Sequence, residues 1–194
     1  IANEALRQNL TDPLAQMQNQ VRSGMSGGDL SKLLPSIHAQ GQKMDFNLKN
    51  LVIHFSTPAW KIGSVKLNDL VERDIMAQLK QYVMLARLLS GTATIGSNLK
   101  VTKNLQNNLP NILVDPEAFS SMAVNLLVNS LMAMPHGGEI KVVSRLKPGS
   151  TKIAELAILD SGVGIPAEKQ QHLFSPFVPI GRKTLGLGLA VVKK

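Results

Sequence analysis

The sequence predicts an α+β fold, an antiparallel helical hairpin followed by an α/β layer. Two observations carry this expectation. Apolar residues recur at steps of three and four through the N-terminal part of the chain, the spacing of helices that bury one stripe. Farther on, a long helical segment is followed by two strand-like segments joined by Lys147-Pro148-Gly149-Ser150, so helices precede adjacent antiparallel strands instead of alternating with them.

The first stripe is Leu6, Leu10, Leu14, Met17 and Val21, the seam of a helix in a coiled coil or bundle. Pro13 interrupts it, where a missing N–H and a ring clash cost about 3 kcal/mol or kink the helix. Ser23-Gly24-Met25-Ser26-Gly27-Gly28 reads as a turn, after which Asp29 or Ser36 is placed to cap a second helix carrying Ile37, Met44, Leu48, Leu51 and Phe55. Two such stripes exceed what one thin hairpin can bury. Pairing with a second copy into a four-helix bundle is therefore expected. Thr57-Pro58 ends this unit, because the residue before proline avoids the helical region. The expected domains are residues 1–58 and 59–194.

In the second domain, Leu67-Asn68-Asp69-Leu70 reads as the staple and N-cap of a helix with Leu70, Val71, Ile75, Leu79 and Val83 on its apolar side. Leu99-Lys100-Val101-Thr102 alternates like a strand. Asp115-Pro116-Glu117 opens a further helix, with Asp as cap, Pro at the first helical position and Glu at the positive end of the dipole. That helix should run to about Met134. Pro135-His136-Gly137-Gly138 breaks it, and strands are expected over 139–146 and 153–159.

Composition narrows the function classes. The 194 residues include no cysteine, which removes disulfides, thiolate metal sites and cysteine nucleophiles. No uncharged stretch approaches the roughly 20 apolar residues of a membrane span. There is no signal-peptide pattern, and the segment is expected to be a cytoplasmic piece of a longer protein, with any membrane contact made through segments outside it. Lys and Arg outnumber Asp and Glu by 21 to 13, giving +8, yet no basic run exceeds two residues. With one Trp, one Tyr and five Phe, stacking platforms for bases are few, so no nucleic-acid partner is expected and the charge reads as a solvated basic surface.

Three local features point to chemistry. A predicted strand ends at Asp160 and runs into Ser161-Gly162-Val163-Gly164-Ile165-Pro166, placing a carboxylate beside glycines that admit a ligand to the backbone, or simply forming a turn. Asn125 and Asn129 lie one helical turn apart, where two amides either face solvent or offer oxygen ligands to a hard cation such as magnesium. Gly186-Leu187-Gly188-Leu189 is a glycine-rich helix entry of the kind that can hold phosphates. The histidines His38, His54, His136 and His172 share no ligand spacing and read as surface or packing residues. Met17, Met44, Met76 and Met84 read as core filling.

Taken in order, these features resemble the boxes of a known family. The stretch from Asn125 through Asn129, Ala133 and Pro135 to Gly137-Gly138 resembles the N box of sensor histidine kinases, particularly the nitrogen-regulation and dicarboxylate-sensor type with its NLLxNAxxAMPxGG pattern. Asp160-Ser-Gly162-Val-Gly164 resembles the first glycine box, Leu173-Phe174-Ser-Pro176-Phe177 the F box, and Gly186-Leu-Gly188-Leu-Ala190 the second glycine box. The interval between Phe177 and Gly186 fits the short ATP lid of that subgroup. The resemblance covers nearly the whole chain and implies a dimerisation hairpin followed by a two-layer α/β sandwich of the Bergerat ATP-binding type. It also implies ATP and magnesium as cofactors, a homodimer through the hairpin, and a response regulator or another signalling protein as partner.

Carried over by residue, the resemblance implies that Asn125 and Asn129 are the catalytic asparagines, with Asn129 ligating the magnesium that bridges the phosphates. Asp160 would accept from the adenine amino group, Gly162 and Gly164 would shape the base pocket, and Gly186 and Gly188 would bring backbone N–H groups to the triphosphate. Where the family often has Thr-Thr-Lys after the F box, this chain has Pro179-Ile180-Gly181, with Arg182 and Lys183 following as displaced lid cations, and Thr184 stands where a glycine is usual. The chain stops at Val191-Val192-Lys193-Lys194, short of the strands that complete the family's sheet, so the ATP-binding domain is expected to be C-terminally incomplete.

The largest departure lies in the first helix. The family's phosphoacceptor box, His-Glu-Leu-Arg-Thr-Pro-Leu, aligns with Gln8-Asn9-Leu10-Thr11-Asp12-Pro13-Leu14, which accounts for Pro13. It puts Gln8 at the phosphoacceptor and Asn9 at the assisting acid. A side-chain amide is neither nucleophile nor general base, so self-phosphorylation at that position is expected to be absent. The chain then reads as an ATP-binding core of the kinase type, with a pseudokinase acting as an ATP-dependent dimeric interaction module as the alternative.

Overall fold

A computed structural model describes residues 4, 6–25, 30–56, 59–178 and 185–193. By its contacts the chain divides into two compact units, one formed by Ile1–Thr57 with Ala167–Lys194 and the other by Pro58–Pro166.

In the first unit, one wide π-helical turn, Arg7–Thr11, leads into helix α1 (Asp12–Met25), the Asp12 N–H bonding the Arg7 carbonyl. This turn is how the helix accepts Pro13. Proline has no N–H to give the carbonyl four residues back, that of Asn9. Here that carbonyl accepts from Asn47 Nδ2 at 3.4 Å. Helix α2 (Leu30–Phe55) supplies Asn47 and also Ser36, whose Oγ accepts from Gln20 Nε2 at 3.3 Å. As the first partner advances from Asn9 in the π-helical turn to Gln20 in α1, the α2 partner retreats from Asn47 to Ser36, so the hairpin is antiparallel as expected.

Ser36 is not a cap. It lies inside α2 next to Pro35, because Leu33 and Leu34 already carry the helical apolar pattern upstream of it. Asp29, residues 26–28 of the expected turn, and Thr57-Pro58 lie outside the described residues. Leu6, Leu10 and Met17 are half-buried, whereas Leu14, Val21, Leu48, Val52 and Phe55 are exposed. The same unit holds α6 (Ala167–Gln170) and α7 (Gly188–Lys193), with α7 packed on α2. These contacts group Ala167–Lys194 with the hairpin, whereas the sequence reading takes 59–194 as one domain.

The second unit layers helices on a sheet. Strand β1 (Gly63–Val65) pairs antiparallel with β3 (Ile112–Val114), and β2 (Leu99–Leu105), β4 (Gly138–Leu146) and β5 (Ala154–Asp160) form a three-stranded sheet in the order β2-β4-β5. The β4–β5 pair is the expected antiparallel hairpin, closed by Lys147 N–H to Ile153 O at 2.8 Å. In contrast, β2 runs parallel to β4, a crossover made through α5 (Pro116–Ala133). Along β4, Ile140, Val142 and Ser144 are buried while Lys141 and Arg145 are exposed, the alternation of a sheet covered on one face. The cover is α5 with Phe119, Ala123, Leu127 and Leu131, and the segment α3 (Leu67–Leu70), a π-helical stretch Val71–Met76, and α4 (Leu79–Ser90).

Asp115 caps α5 as expected. Its Oδ1 accepts from the N–H groups of Glu117 at 2.8 Å and Ala118 at 3.2 Å, and its Oδ2 from the Lys61 N–H at 2.6 Å. These donors, the Lys61 N–H foremost, hold the carboxyl below its ordinary range. Asn68, in contrast, does not cap α3. Its side chain donates to Gln106 O at 3.0 Å and accepts from the buried Ser144 Oγ at 2.6 Å, so it ties the helix to the sheet by satisfying a hydroxyl the core would otherwise strand. Burial, reinforced by the nearby Asp74 carboxylate, pushes the Tyr82 phenol up to about 12, and its hydroxyl donates to the Asp74 carbonyl. Met17, Met44 and Met76 are half-buried, but Met84 is 66% exposed, on the solvent side of α4, and does not fill the core.

Candidate functional site

Within the Pro58–Pro166 unit, α5 and the end of β5 bring the sequence-predicted residues into one neighbourhood. The helix ends at Ala133 ahead of Pro135, and its freed Ala133 carbonyl accepts from the Val163 N–H at 3.2 Å. Ser161 makes a second latch, its N–H donating to Glu139 O at 3.1 Å and its Oγ accepting from the Glu139 N–H at 2.9 Å. Between these bonds sits Gly162. A Cβ there would fall 2.6 Å from the Ala133 Cβ and 2.8 Å from Asp160 Oδ1, so only glycine lets the loop lie against the helix end. Gly164 has φ +68 and open space around it.

Asp160 is exposed at the strand end, and both of its oxygens are engaged. Oδ1 accepts from the Gly162 N–H at 3.0 Å, and Oδ2 accepts from Ser130 Oγ at 2.9 Å. Each carboxylate oxygen can take a second hydrogen bond, so acceptor capacity for a ligand donor remains. The two asparagines prove unlike. Asn129 is exposed, while Asn125 is buried and its Nδ2 donates to the Ser121 carbonyl at 2.8 Å. One helical turn thus presents a single exposed amide, and the other is folded into the helix.

In the other unit, Gly186 has φ +69, and its carbonyl accepts from the Phe177 N–H at 3.0 Å. A Cβ at Gly186 would meet the Val178 backbone at 2.7 Å, so the F box and the second glycine box are closed against each other by that glycine. Gly188 is the first residue of α7. Phe177 approaches Phe55 with ring centroids 6.2 Å apart, and Lys193 Nζ lies 5.9 Å from the Phe174 ring centre. Arg182, Lys183 and Thr184 lie outside the described residues. Gln8 is exposed and its Nε2 donates to Glu4 Oε1 at 2.6 Å, while Asn9 is buried. His38, His136 and His172 are exposed, and His54 is half-buried with an edge contact to Phe55.

Sequence reasoning missed Ser130 and Ser161. The signal for Ser130 was a hydroxyl directly after Asn129, where the NLLxNAxxAMPxGG pattern has alanine. No group of three or more histidine, cysteine, aspartate or glutamate side chains that could hold a metal occurs among the described residues. Nor is any helix among them long and apolar enough to cross a membrane.

Residues 114–194 match the family described as histidine kinase-, DNA gyrase B-, and HSP90-like ATPase. The sensor histidine kinase ZraS of Escherichia coli strain K12 is 34% identical over 168 residues, which is 86% of this chain and 33% of that protein. Among solved structures, the Acinetobacter baumannii histidine kinase AdeS superposes with a TM-score of 0.62 at 20% identity, covering 94% of this chain and 82% of that one. Histidine kinase ThkA, in complex with the response regulator protein TrrA, superposes with a TM-score of 0.58 at 16% identity, over 91% of this chain and 52% of that one. The chain spans about a quarter to a third of the length of the curated relatives it matches. Residues 114–194 thus belong to the histidine kinase-, DNA gyrase B-, and HSP90-like ATPase family, and over most of its length the chain is similar to sensor histidine kinases.

Proposed function

We propose that this chain is the ATP-binding core of a two-component signalling protein of the histidine kinase type, one whose first helix carries no phosphoacceptor. The observation that carries the nucleotide reading is the Asp160 carboxylate, exposed at a strand end and held by Ser130 and the Gly162 N–H. An oriented carboxylate accepts from an exocyclic amine and opposes a carbonyl in its place, which is how adenine is preferred over guanine. Gly162 and Gly164 shape the base pocket. Gly186 and Gly188 offer backbone N–H groups to the triphosphate, with Arg182 and Lys183 as lid cations.

The donor set also fits a magnesium–nucleotide complex in part. Asn129 supplies an exposed amide oxygen, a hard donor suited to magnesium, and we assign it as the metal ligand. Asn125, buried with its amide nitrogen on the Ser121 carbonyl, acts in this reading by supporting that turn of α5. When bound, magnesium neutralises phosphate charge and orients the terminal phosphoryl group.

The alternative within this proposal is a pseudokinase, an ATP-dependent dimeric interaction module, and two observations favour it. Gln8 presents an amide at the exposed position, and Asn9, where the family has its assisting acid, is buried. Leu14, Val21, Leu48 and Val52 are exposed apolar residues on a hairpin, which supports a homodimer formed through α1 and α2 as a four-helix bundle. A response regulator or another signalling protein is the proposed partner, a reading supported by the ThkA–TrrA relative. We take residues 1–58 as the dimerisation hairpin and 59–194 as the ATP-binding domain, supported by the unbroken family match across 114–194, and we assign the protein to the cytoplasm.

Calorimetric titration of the full-length protein with ATP, with and without magnesium, tests the nucleotide reading. Saturable binding that tightens with magnesium is the expected result. No heat of binding in either condition, with the protein shown to be folded, overturns it.

A further inference from the structure

We infer that Ser130 is a positioning residue for base recognition, its hydroxyl holding the Asp160 carboxylate in the orientation that selects a 6-amino purine nucleotide. This rests on the proposed reading of Asp160 as the adenine acceptor. An aspartate at an exposed strand end turns freely about its terminal torsion, which has a broad, roughly two-fold profile. A freely turning carboxylate discriminates poorly between a donor and an acceptor at the purine 6-position, because water fills whichever direction the base leaves unpaired.

Two hydrogen bonds remove that freedom, and they differ in kind. The Gly162 N–H to Oδ1 bond, 3.0 Å, comes from two residues along the same loop. The Ser130 Oγ to Oδ2 bond, 2.9 Å, comes from α5, a separate element whose neighbouring Val128 and Leu131 are locked in the core. Ser130 is itself buried, at 7% exposure, so the anchor is a rigid one. The carboxylate has no proton to give, so the Ser130 hydroxyl must donate. Oδ2 is thereby tied to the helix, and the remaining lone pairs of Asp160 stay acceptor-only toward the ligand. A 6-amino group meets an acceptor there. A 6-oxo group meets an acceptor as well, and that mismatch excludes it.

The test is titration of the full chain with ATP and with inosine triphosphate at fixed magnesium, on the native protein and on Ser130→Ala, Ser130→Thr and Asp160→Asn. Ser130→Ala is expected to lower the ATP-to-inosine-triphosphate affinity ratio by about tenfold, the size of losing one hydrogen bond to a charged group. Ser130→Thr, which keeps the hydroxyl, is expected to retain most of the ratio. If Ser130→Ala does not fold, Ser130→Cys, close in volume and a weak donor, is read in its place and is expected to lose most of the ratio. A native ratio in the hydroxyl-free variant, with the ratio collapsed in Asp160→Asn, overturns the role of Ser130 and leaves Asp160 standing. An unchanged ratio in Asp160→Asn overturns the reading of Asp160 and this inference with it.

Discussion

Replacing Asp160 with alanine is expected to weaken ATP binding about 10- to 100-fold, the range for losing a hydrogen bond that involves a charged group. The folding cost is that of the buried Ser130 hydroxyl losing its acceptor, about 1–3 kcal/mol. Asp160 is exposed at the end of β5, and the strand is held by its register with β4, from Ile140 opposite Asp160 to Leu146 opposite Ala154. What the variant removes is the acceptor and the two bonds from Ser130 and Gly162. The melting temperature should therefore fall by several degrees while the dissociation constant rises, and calorimetry on a sample of verified fold separates the two. An affinity within twofold of the native value would remove Asp160 from the site.

The second large effect is expected at Gly162, where the cause is space. A Cβ would stand 2.6 Å from the Ala133 Cβ and 3.0 Å from the Ala133 carbonyl, a side-chain stub and a backbone atom that cannot swing aside. Relief requires the loop to lift from the end of α5, which strains the Val163 N–H to Ala133 O bond and moves Asp160 with it. Overpacking of this kind costs about 1–3 kcal/mol. Gly162→Val should lower thermal stability by several degrees, roughly what that cost implies for a domain of this size, and it should weaken nucleotide binding together with stability. Gly164→Ala is the informative contrast. Its surroundings are open, so its penalty comes only from the backbone at φ +68 and should be about 1–2 kcal/mol, without displacing Asp160. Equal melting of Gly162→Val and the native chain would show that the loop does not lie against the helix.

Features whose cause is local were legible in the sequence. Asp115-Pro116-Glu117 announces a helix start because cap, fixed φ and dipole complement act within a few residues, and the structure places α5 from Pro116 with Asp115 bonded to Glu117 and Ala118. The hairpin between β4 and β5 was legible for the same reason. Features whose cause is a distant partner were not. Strands β1 and β3 are three residues each and too short to show a period. Asn68 has a capping residue's chemistry but is drawn to Gln106 and Ser144, far away in sequence, and Ser36 is drawn to Gln20 across the hairpin. Pro13 signalled a disturbance, yet the Asn47 amide that compensates for it lies on another helix.

The candidate site divides along the same line. Its glycines, Asp160 and Asn129 stood out by type and spacing. The burial of Asn125 and the grip of Ser130 on Asp160 depend on how α5 meets the sheet, which no spacing rule encodes.

An ATP site of the histidine kinase type joined to a first helix with an amide at the phosphoacceptor position should bind nucleotide without phosphorylating itself. This is tested most directly by incubating the full-length protein with γ-labelled ATP and magnesium at concentrations where binding is saturated, then testing the product for acid and alkali stability. Bound nucleotide and no acid-labile, alkali-stable label are the expected result. Such label, mapped to the peptide containing Gln8 or to any histidine of the chain, would contradict it.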